Sequence, residues 1–281
     1  MIERIYIPTI RRCNTQITFE NLPKELQQKV VMVIESSEKS LYNYDCDYLE
    51  IPDSIVGSWT QLSQTRKLIH QHAGKIKYAM LDDDMVVHKR NTKYFNGISD
   101  MEKSKRKAFP EEIIRLYETA SQWLDKDDIG IVGLSKNYLP PTDTEYSDTK
   151  GVYSYIFLDG KKISNVVDKI DDSTRVAEDM LFLFTCLDNG INSRMSNEFM
   201  YFNMSETKLK NNRPLWNDMF NDVPKNVFHT DKHYEVIKYI KSIFPHAITI
   251  HEKDGLMKHT VHWKKLYRPK NQSSLMSFFD E

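Results

Sequence analysis

The chain has 281 residues, 40% of them apolar, with a formal net charge of −1, which is enough apolar material for a sizeable core. A balance so close to neutral does not mark a nucleic-acid binder by composition, and no run of the roughly 18 apolar residues that a membrane span needs is present. Three cysteines at unrelated spacings, Cys13, Cys46 and Cys186, argue against a disulfide framework and for reduced thiols in a cytoplasmic protein, with neither secretory peptide nor membrane partner.

Strands and helices alternate along the first half. Ile2 to Ile7 reads as a strand ending in a polar turn at Pro8 and Thr9, Phe19 to Gln28 as a short helical stretch, and Val30 to Ile34 as a second buried strand. A third strand near Tyr48 to Ile51, a helix from about Ser58 to Ala73 and a fourth strand from Lys77 follow. Such β-α-β alternation predicts an α/β fold with a mostly parallel central sheet, whose ligand sits at the carboxyl ends of the strands.

The fourth strand ends in Asp82, Asp83 and Asp84. Three adjacent carboxylates repel one another unless cations neutralise them, and an apolar strand would deliver these to the sheet edge. Hard oxygen ligands suit Mg²⁺ or Mn²⁺, ions that complete their shell with water and substrate phosphates. The bland alternative is a solvated acidic turn.

Beyond Arg90 comes a polar, basic insertion, including Lys103, Lys105, Arg106 and Lys107, and then a helix from Pro110 to Leu124. A strand at Ile129 to Leu134 leads to a Pro-, Asp- and Thr-rich loop from Tyr138 to Lys150, and a strand at Tyr153 to Leu158 is expected to turn at Asp159-Gly160. A helix from Ala177 to Asn189 stops at Gly190. It opens with Glu178-Asp179, which the helix dipole alone would favour there, but which can also supply a base.

The ordered series Ile5-Tyr-Ile-Pro-Thr-Ile-Arg11, Gln64-Thr-Arg66, Leu81-Asp-Asp-Asp84 and Arg175-x-x-Glu178-Asp179 resembles glycosyltransferases of the GT-A type. In particular it is similar to the phage branch, of the TET/JBP-associated type, that acts on modified DNA bases. The resemblance implies a GT-A-like domain binding a nucleotide-sugar donor, with Pro8, Thr9 and Arg11 bordering the nucleotide, Glu35 near the base or ribose and Arg66 near the diphosphate. Asp82 and Asp83 would join the donor site, Asp84 would ligate the metal with Asp82, and Asp179, assisted by Glu178, would be the base. Such enzymes often add a late histidine to the metal. Here His259 and His262 compete for that role, with His262 favoured, although both also read as surface or core histidines.

The last residues carry a separate pattern. Gln272, Leu275, Phe278 and Phe279 have the spacing of a sliding-clamp-binding peptide, in which one 3₁₀-like turn presents three apolar side chains to a pocket. The alternative is a tail docked on its own domain. The organisation expected is one domain over residues 1–265 and a flexible tail over 266–281. Together the two clues predict transfer of a sugar from a UDP-sugar to the hydroxyl of 5-hydroxymethylcytosine in phage DNA, in the host cytoplasm. Rival readings are a metal-dependent nuclease and a non-catalytic clamp-associated adaptor.

Overall fold

The computed structural model describes residues 1–58, 60–90, 105–136, 144–170, 177–204, 231–253 and 256–268. Its strands are β1 (Arg4–Pro8), β2 (Val30–Glu35), β3 (Asp47–Ile51), β4 (Lys77–Leu81), β5 (Met85–Arg90), β6 (Lys105–Lys107), β7 (Ile129–Lys136), β8 (Tyr146–Asp148), β9 (Tyr155–Asp159), β10 (Asn192–Asn203), β11 (Ile248–Lys253) and β12 (Leu256–Val261). The helices are α1 (Ile17–Asn21), α2 (Lys24–Gln27), α3 (Gln61–Ala73), α4 (Pro110–Leu124), α5 (Gly160–Val167), α6 (Glu178–Asp188), α7 (Asp231–Ile243) and α8 (Trp263–Leu266).

Ten strands form one sheet in the order β3-β2-β1-β4-β9-β7-β10-β5-β6, with β8 paired to β10, while β11 and β12 make a separate hairpin. The first four neighbours are parallel, as is β7 with β10, and β9, β5 and β8 run against the rest. The architecture is therefore α/β with a large, mostly parallel central sheet. Strand pleat sorts the side chains. Tyr6, Val31, Val33, Tyr78 and Met80 face a layer that includes α6, while Ile5, Ile7, Met32, Ala79 and Leu81 face α1 and α4. Helix α4 buries Ile113, Leu116, Tyr117, Ala120 and Leu124, the i, i+3, i+4 stripe a sheet-covering helix needs.

Two sequence expectations change. The helical stretch after Thr18 is two short helices separated by Leu22 and Pro23, because Pro23 cannot continue the first. Asp159-Gly160 is not a turn: the Asp159 carboxylate accepts the N–H groups of Lys161 at 3.0 Å and Lys162 at 3.3 Å and so caps α5. Toward the end of the described residues, Leu266 is fully buried and Arg268 pairs with Asp188 at 2.9 Å.

Gly160 follows that cap at a close approach of backbones. A Cβ there would lie 2.2 Å from the Gly74 carbonyl oxygen and 2.6 Å from that of Ile76, so neither neighbour is a flexible side chain. Gly160→Ala is expected to lower stability by about 1–3 kcal/mol, the usual cost of overpacking. Urea denaturation reads this as a lower midpoint at constant slope, and an unchanged midpoint would mean that the two carbonyls shift freely.

Candidate active site

The acidic triplet leaves β4 at the carboxyl edge of the parallel strands, and its backbone is fastened from three sides. Asp82 N–H donates to the Ser154 carbonyl at 2.8 Å, and the Asp84 carbonyl accepts from Met204 N–H at 2.9 Å. Thr18 does most of the fixing. Its N–H donates to the Asp83 carbonyl at 3.0 Å, its hydroxyl donates to the Asp82 carbonyl at 2.5 Å, and the same oxygen accepts from Met85 N–H at 2.8 Å. With the three carbonyls and the Asp82 N–H engaged, Asp82 is turned to one side and Asp83 and Asp84 to the other.

Asp83 turns inward. Its Oδ2 accepts the Thr9 hydroxyl at 2.7 Å, its Oδ1 pairs with the Arg12 guanidinium, and Arg12 Nη1 also lies 3.6 Å from Asp84 Oδ2. The Gln16 amide steadies this corner by donating to the Thr9 hydroxyl at 2.8 Å and to the Arg12 carbonyl at 2.9 Å. Burial pushes the Asp83 carboxyl up to about 6, against the opposing pull of Arg12 and Thr9.

Asp82 faces the other way, where Arg66 from α3 meets it. Arg66 Nη2 lies 3.2 Å from Asp82 Oδ1, and its Nε lies 3.2 Å from Glu178 Oε1 in an ion pair without hydrogen-bond alignment. One guanidinium thus joins the end of β4 to the start of α6. Burial opposes the Arg66 charge, but Asp82, Glu178 and Asp179 more than offset it. Burial also raises the carboxyls of Glu178 and Asp179, with Arg66 opposing. Asp179 Oδ1 accepts the Met180 N–H at 2.7 Å. Beneath them a small cavity is lined by Ser63, Arg66, His70, Met80, Glu178 and Asp179. His70 is buried, stacks on Phe182 at 4.6 Å between centroids and bonds the Tyr78 hydroxyl, and burial drives its pKa down to about 3, so it sits there neutral.

The structure therefore brings Thr9, Arg66, Asp82, Asp83, Asp84, Glu178 and Asp179 to one sheet edge. Pro8 ends β1 beside them, and Glu35, at the end of β2, accepts from the Gln61 amide at 2.9 Å. Two residues were missed. Arg12 faces the aspartates, whereas the Arg11 side chain is exposed and its N–H is caught by Glu38 at 2.8 and 3.0 Å. The Arg11-Arg12 doublet and a second glutamate three residues after Glu35 were the available signals. His262 Nε2 lies 2.8 Å from Thr249 Oγ1, and no group of three or more His, Cys, Asp or Glu among the described residues could hold a metal, so His262 and the aspartates do not form one. Arg175, Gln272, Leu275, Phe278 and Phe279 lie outside the described residues.

Backbone strain marks the same place. Of the four described non-glycine residues with positive φ, Arg11 precedes Arg12, Ser154 supplies the carbonyl for Asp82, and Ala177 precedes Glu178. Such conformations persist only where the surroundings impose them.

Removing the bridging guanidinium should be severe. Arg66→Leu leaves Asp82, Glu178 and Asp179 without their shared cation, and breaking a buried pair costs about 3–5 kcal/mol. The Glu178 and Asp179 carboxyls, already raised by burial, would rise further above their unfolded values, so stability is retained at low pH and lost as pH rises through the folded pKa. Urea denaturation should show a larger deficit at pH 7.5 than at pH 5. Equal deficits at both would contradict the assigned role.

Residues 3–212 match the model of the family described as TET-Associated Glycosyltransferase. No curated protein matches the chain. Among solved structures, TarS 1-349 of S. aureus aligns at 11% identity and a TM-score of 0.42, covering 94% of this chain and 97% of that one. UTP-bound UGPase from Acinetobacter baumannii aligns at 11% identity and a TM-score of 0.40, with 72% and 88% covered. GlyE of Streptococcus pneumoniae TIGR4 aligns at 12% identity and a TM-score of 0.37, with 69% and 45% covered. Likeness that distant carries no functional argument, but the family match spans well over half of the chain. This protein belongs to the TET-associated glycosyltransferase family and is a glycosyltransferase.

Proposed function

We propose that the protein moves a sugar from a UDP-sugar to the hydroxyl of 5-hydroxymethylcytosine in phage DNA, with a divalent ion at the donor and a sliding clamp as its replication partner. The observation that carries this reading is the Arg66 bridge, which sets the acidic strand end and Asp179 on either side of one guanidinium. A donor diphosphate and an acceptor hydroxyl require that juxtaposition of charge-binding groups and base.

The donor set fits Mn²⁺ or Mg²⁺ only if the substrate shares in the binding. Asp84 and Asp82 offer hard oxygens, yet the described residues hold no group of three or more metal-binding side chains, and both ions accept one or two carboxylates plus phosphate oxygens. When bound, the ion would neutralise charge on the diphosphate leaving group. The protein's own residues do the rest. Arg66 and Arg12 add positive charge at the same edge, Thr9 and Asp83 fix Arg12, and Asp179 takes the proton of the acceptor hydroxyl. Its Oδ1 is engaged by Met180 N–H, leaving Oδ2 for that role, and its raised pKa brings it nearer the operating pH of a base.

Two substitutions separate these roles. Asp84→Ala is expected to abolish Mn²⁺-dependent donor binding in calorimetry. Asp179→Asn should leave donor binding near normal and slow single-turnover transfer to DNA by roughly two orders of magnitude or more. Donor affinity unchanged in the first, or a rate within a few-fold of wild type in the second, would remove the assignment, with Glu178 next in line as base.

The tail supplies the replication link. Gln272, Leu275, Phe278 and Phe279 would plug a clamp pocket, each apolar side chain contributing about 1.5–3 kcal/mol before the ordering cost is subtracted. Micromolar affinity, on the order of 8 kcal/mol, is expected. A labelled peptide of residues 270–281 titrated with the clamp from the same source measures it, and Phe278→Ala with Phe279→Ala should abolish binding while sparing transfer to short oligonucleotides. Absence of binding at clamp concentrations of about ten times that expected Kd would leave sugar transfer without the replication link.

A further inference from the structure

An aromatic surface lies beside both acidic motifs and has no part in the chemistry described above. Val152, Tyr153 and Ser154 lead into β9, and Ser154, at φ 53°, gives its carbonyl to Asp82 N–H at 2.8 Å. Tyr153 is therefore one residue from the backbone contact that fixes Asp82. Its ring is half-buried, and Lys136 Nζ, at the end of β7, stands 5.4 Å from the ring centroid. Lys136 is also close enough to Asp179 to favour the ionised carboxylate. Tyr153 and Lys136 thus span the interval between Asp82 and the base.

A second ring supports the first. Trp263, at the start of α8, lies 6.2 Å from Tyr153 between centroids, and its edge meets Phe184 of α6 at 5.3 Å and 90°. The two rings crowd Gly151 so closely that a Cβ there would fall 2.6 Å from a Trp263 ring carbon and 2.8 Å from the Tyr153 hydroxyl. The glycine leaves that space to the rings, and Tyr153 is wedged in place from behind.

We propose that Tyr153 and Lys136 position the acceptor, the Tyr153 ring stacking on the target pyrimidine and Lys136 contacting an adjoining phosphate. The inference rests on the reading of DNA as acceptor. Every nucleobase has a π face, so stacking on an aromatic ring recognises a base without reading its sequence. A lysine next to that ring supplies the phosphate contact that sets register. A half-buried ring backed by Trp263 reaches a base only when that base has left the duplex, so the substrate is a single strand or a flipped nucleotide. Tyr153 and Lys136 are positioning residues, and Asp179 remains the group that meets the hydroxyl.

The test uses the full chain, a labelled single-stranded oligonucleotide carrying 5-hydroxymethylcytosine, and three readouts: anisotropy for the oligonucleotide, single-turnover transfer at saturating donor, and calorimetry for the donor. Tyr153→Leu should weaken oligonucleotide binding and raise the half-saturating acceptor concentration about tenfold or more, with donor affinity unchanged. Tyr153→Phe should recover most of that loss, because the ring is kept. Lys136→Gln should reduce the slope of log affinity against log salt by about 0.7, the value for one phosphate contact on a single strand. A folded Tyr153→Leu with wild-type acceptor saturation, or one that loses donor affinity instead, overturns the proposal. Should that variant fail to fold, the salt slope of Lys136→Gln decides, and an unchanged slope overturns it. If the wild-type protein transfers sugar to no DNA, the acceptor reading and this inference fall together. If it transfers and the variants match it, only the platform falls.

Discussion

The site depends on one guanidinium. Arg66 comes from the second turn of α3, touches Asp82 at the end of β4 and Glu178 at the start of α6, and carries only 11% side-chain exposure. Three segments distant in sequence are held by this contact, and Arg66 is the first charge that opposes the burial raising the Glu178 and Asp179 carboxyls. The arginine also explains why an acidic pair can begin a helix with Glu178 buried and Asp179 partly so. A helix dipole favours Glu178 and Asp179 by at most about 1–2 kcal/mol, which does not cover burying one carboxylate and partly burying the next, so the buried cation makes the difference.

Around that contact the architecture is a parallel sheet edge with the triplet's carbonyls occupied. Thr18 holds the backbone of the triplet on both sides, and Ser154 and Met204 hold its ends. The side chains are consequently aimed without having to satisfy the backbone. The positive φ values at Arg11, Ser154 and Ala177 are the local cost of that arrangement, in the range of 1–3 kcal/mol each, and they fall where the aim of the next residue matters. Arg11 shows the effect most simply: its N–H goes to Glu38 and the following residue, Arg12, swings toward Asp83.

What could be read from the sequence was set by how far hydropathy reports burial. β1, β2 and β4 are near-continuous apolar runs, and α4 shows its buried stripe, so the order of elements on the parallel side and the placing of the Asp triplet followed from pattern alone. β10 was invisible by the same measure. Its first half reads Asn192-Ser-Arg-Met-Ser-Asn197, yet Ser193 and Ser196 are almost fully buried, because Asp148, Thr149 and Lys150 complete their neighbours' hydrogen bonds and Arg194 is paired with Asp148 at 2.7 Å. A polar strand satisfied by another strand looks like a loop until both are seen. Arg12 was overlooked for a related reason: the strand-end pattern pointed to Arg11, and only the reversed backbone at that residue decides which arginine faces inward.

The three aspartates, adjacent in sequence, end with three different fates. Asp83 is committed to Thr9 and Arg12, Asp82 is shared with Arg66, and Asp84 shares Arg12 at the longer distance of 3.6 Å. Two arginines therefore already offset much of the repulsion that made the triplet conspicuous in the sequence. An ion entering here would gain less from bare carboxylate charge than the sequence suggests, and it would have to compete with a guanidinium for Asp84. A diphosphate changes that balance, since it brings its own oxygens to the ion and its own negative charge to Arg12 and Arg66. In the metal-dependent reading proposed above, donor and ion would bind as a unit, and the arginines that hold this edge together would become partners of the leaving group.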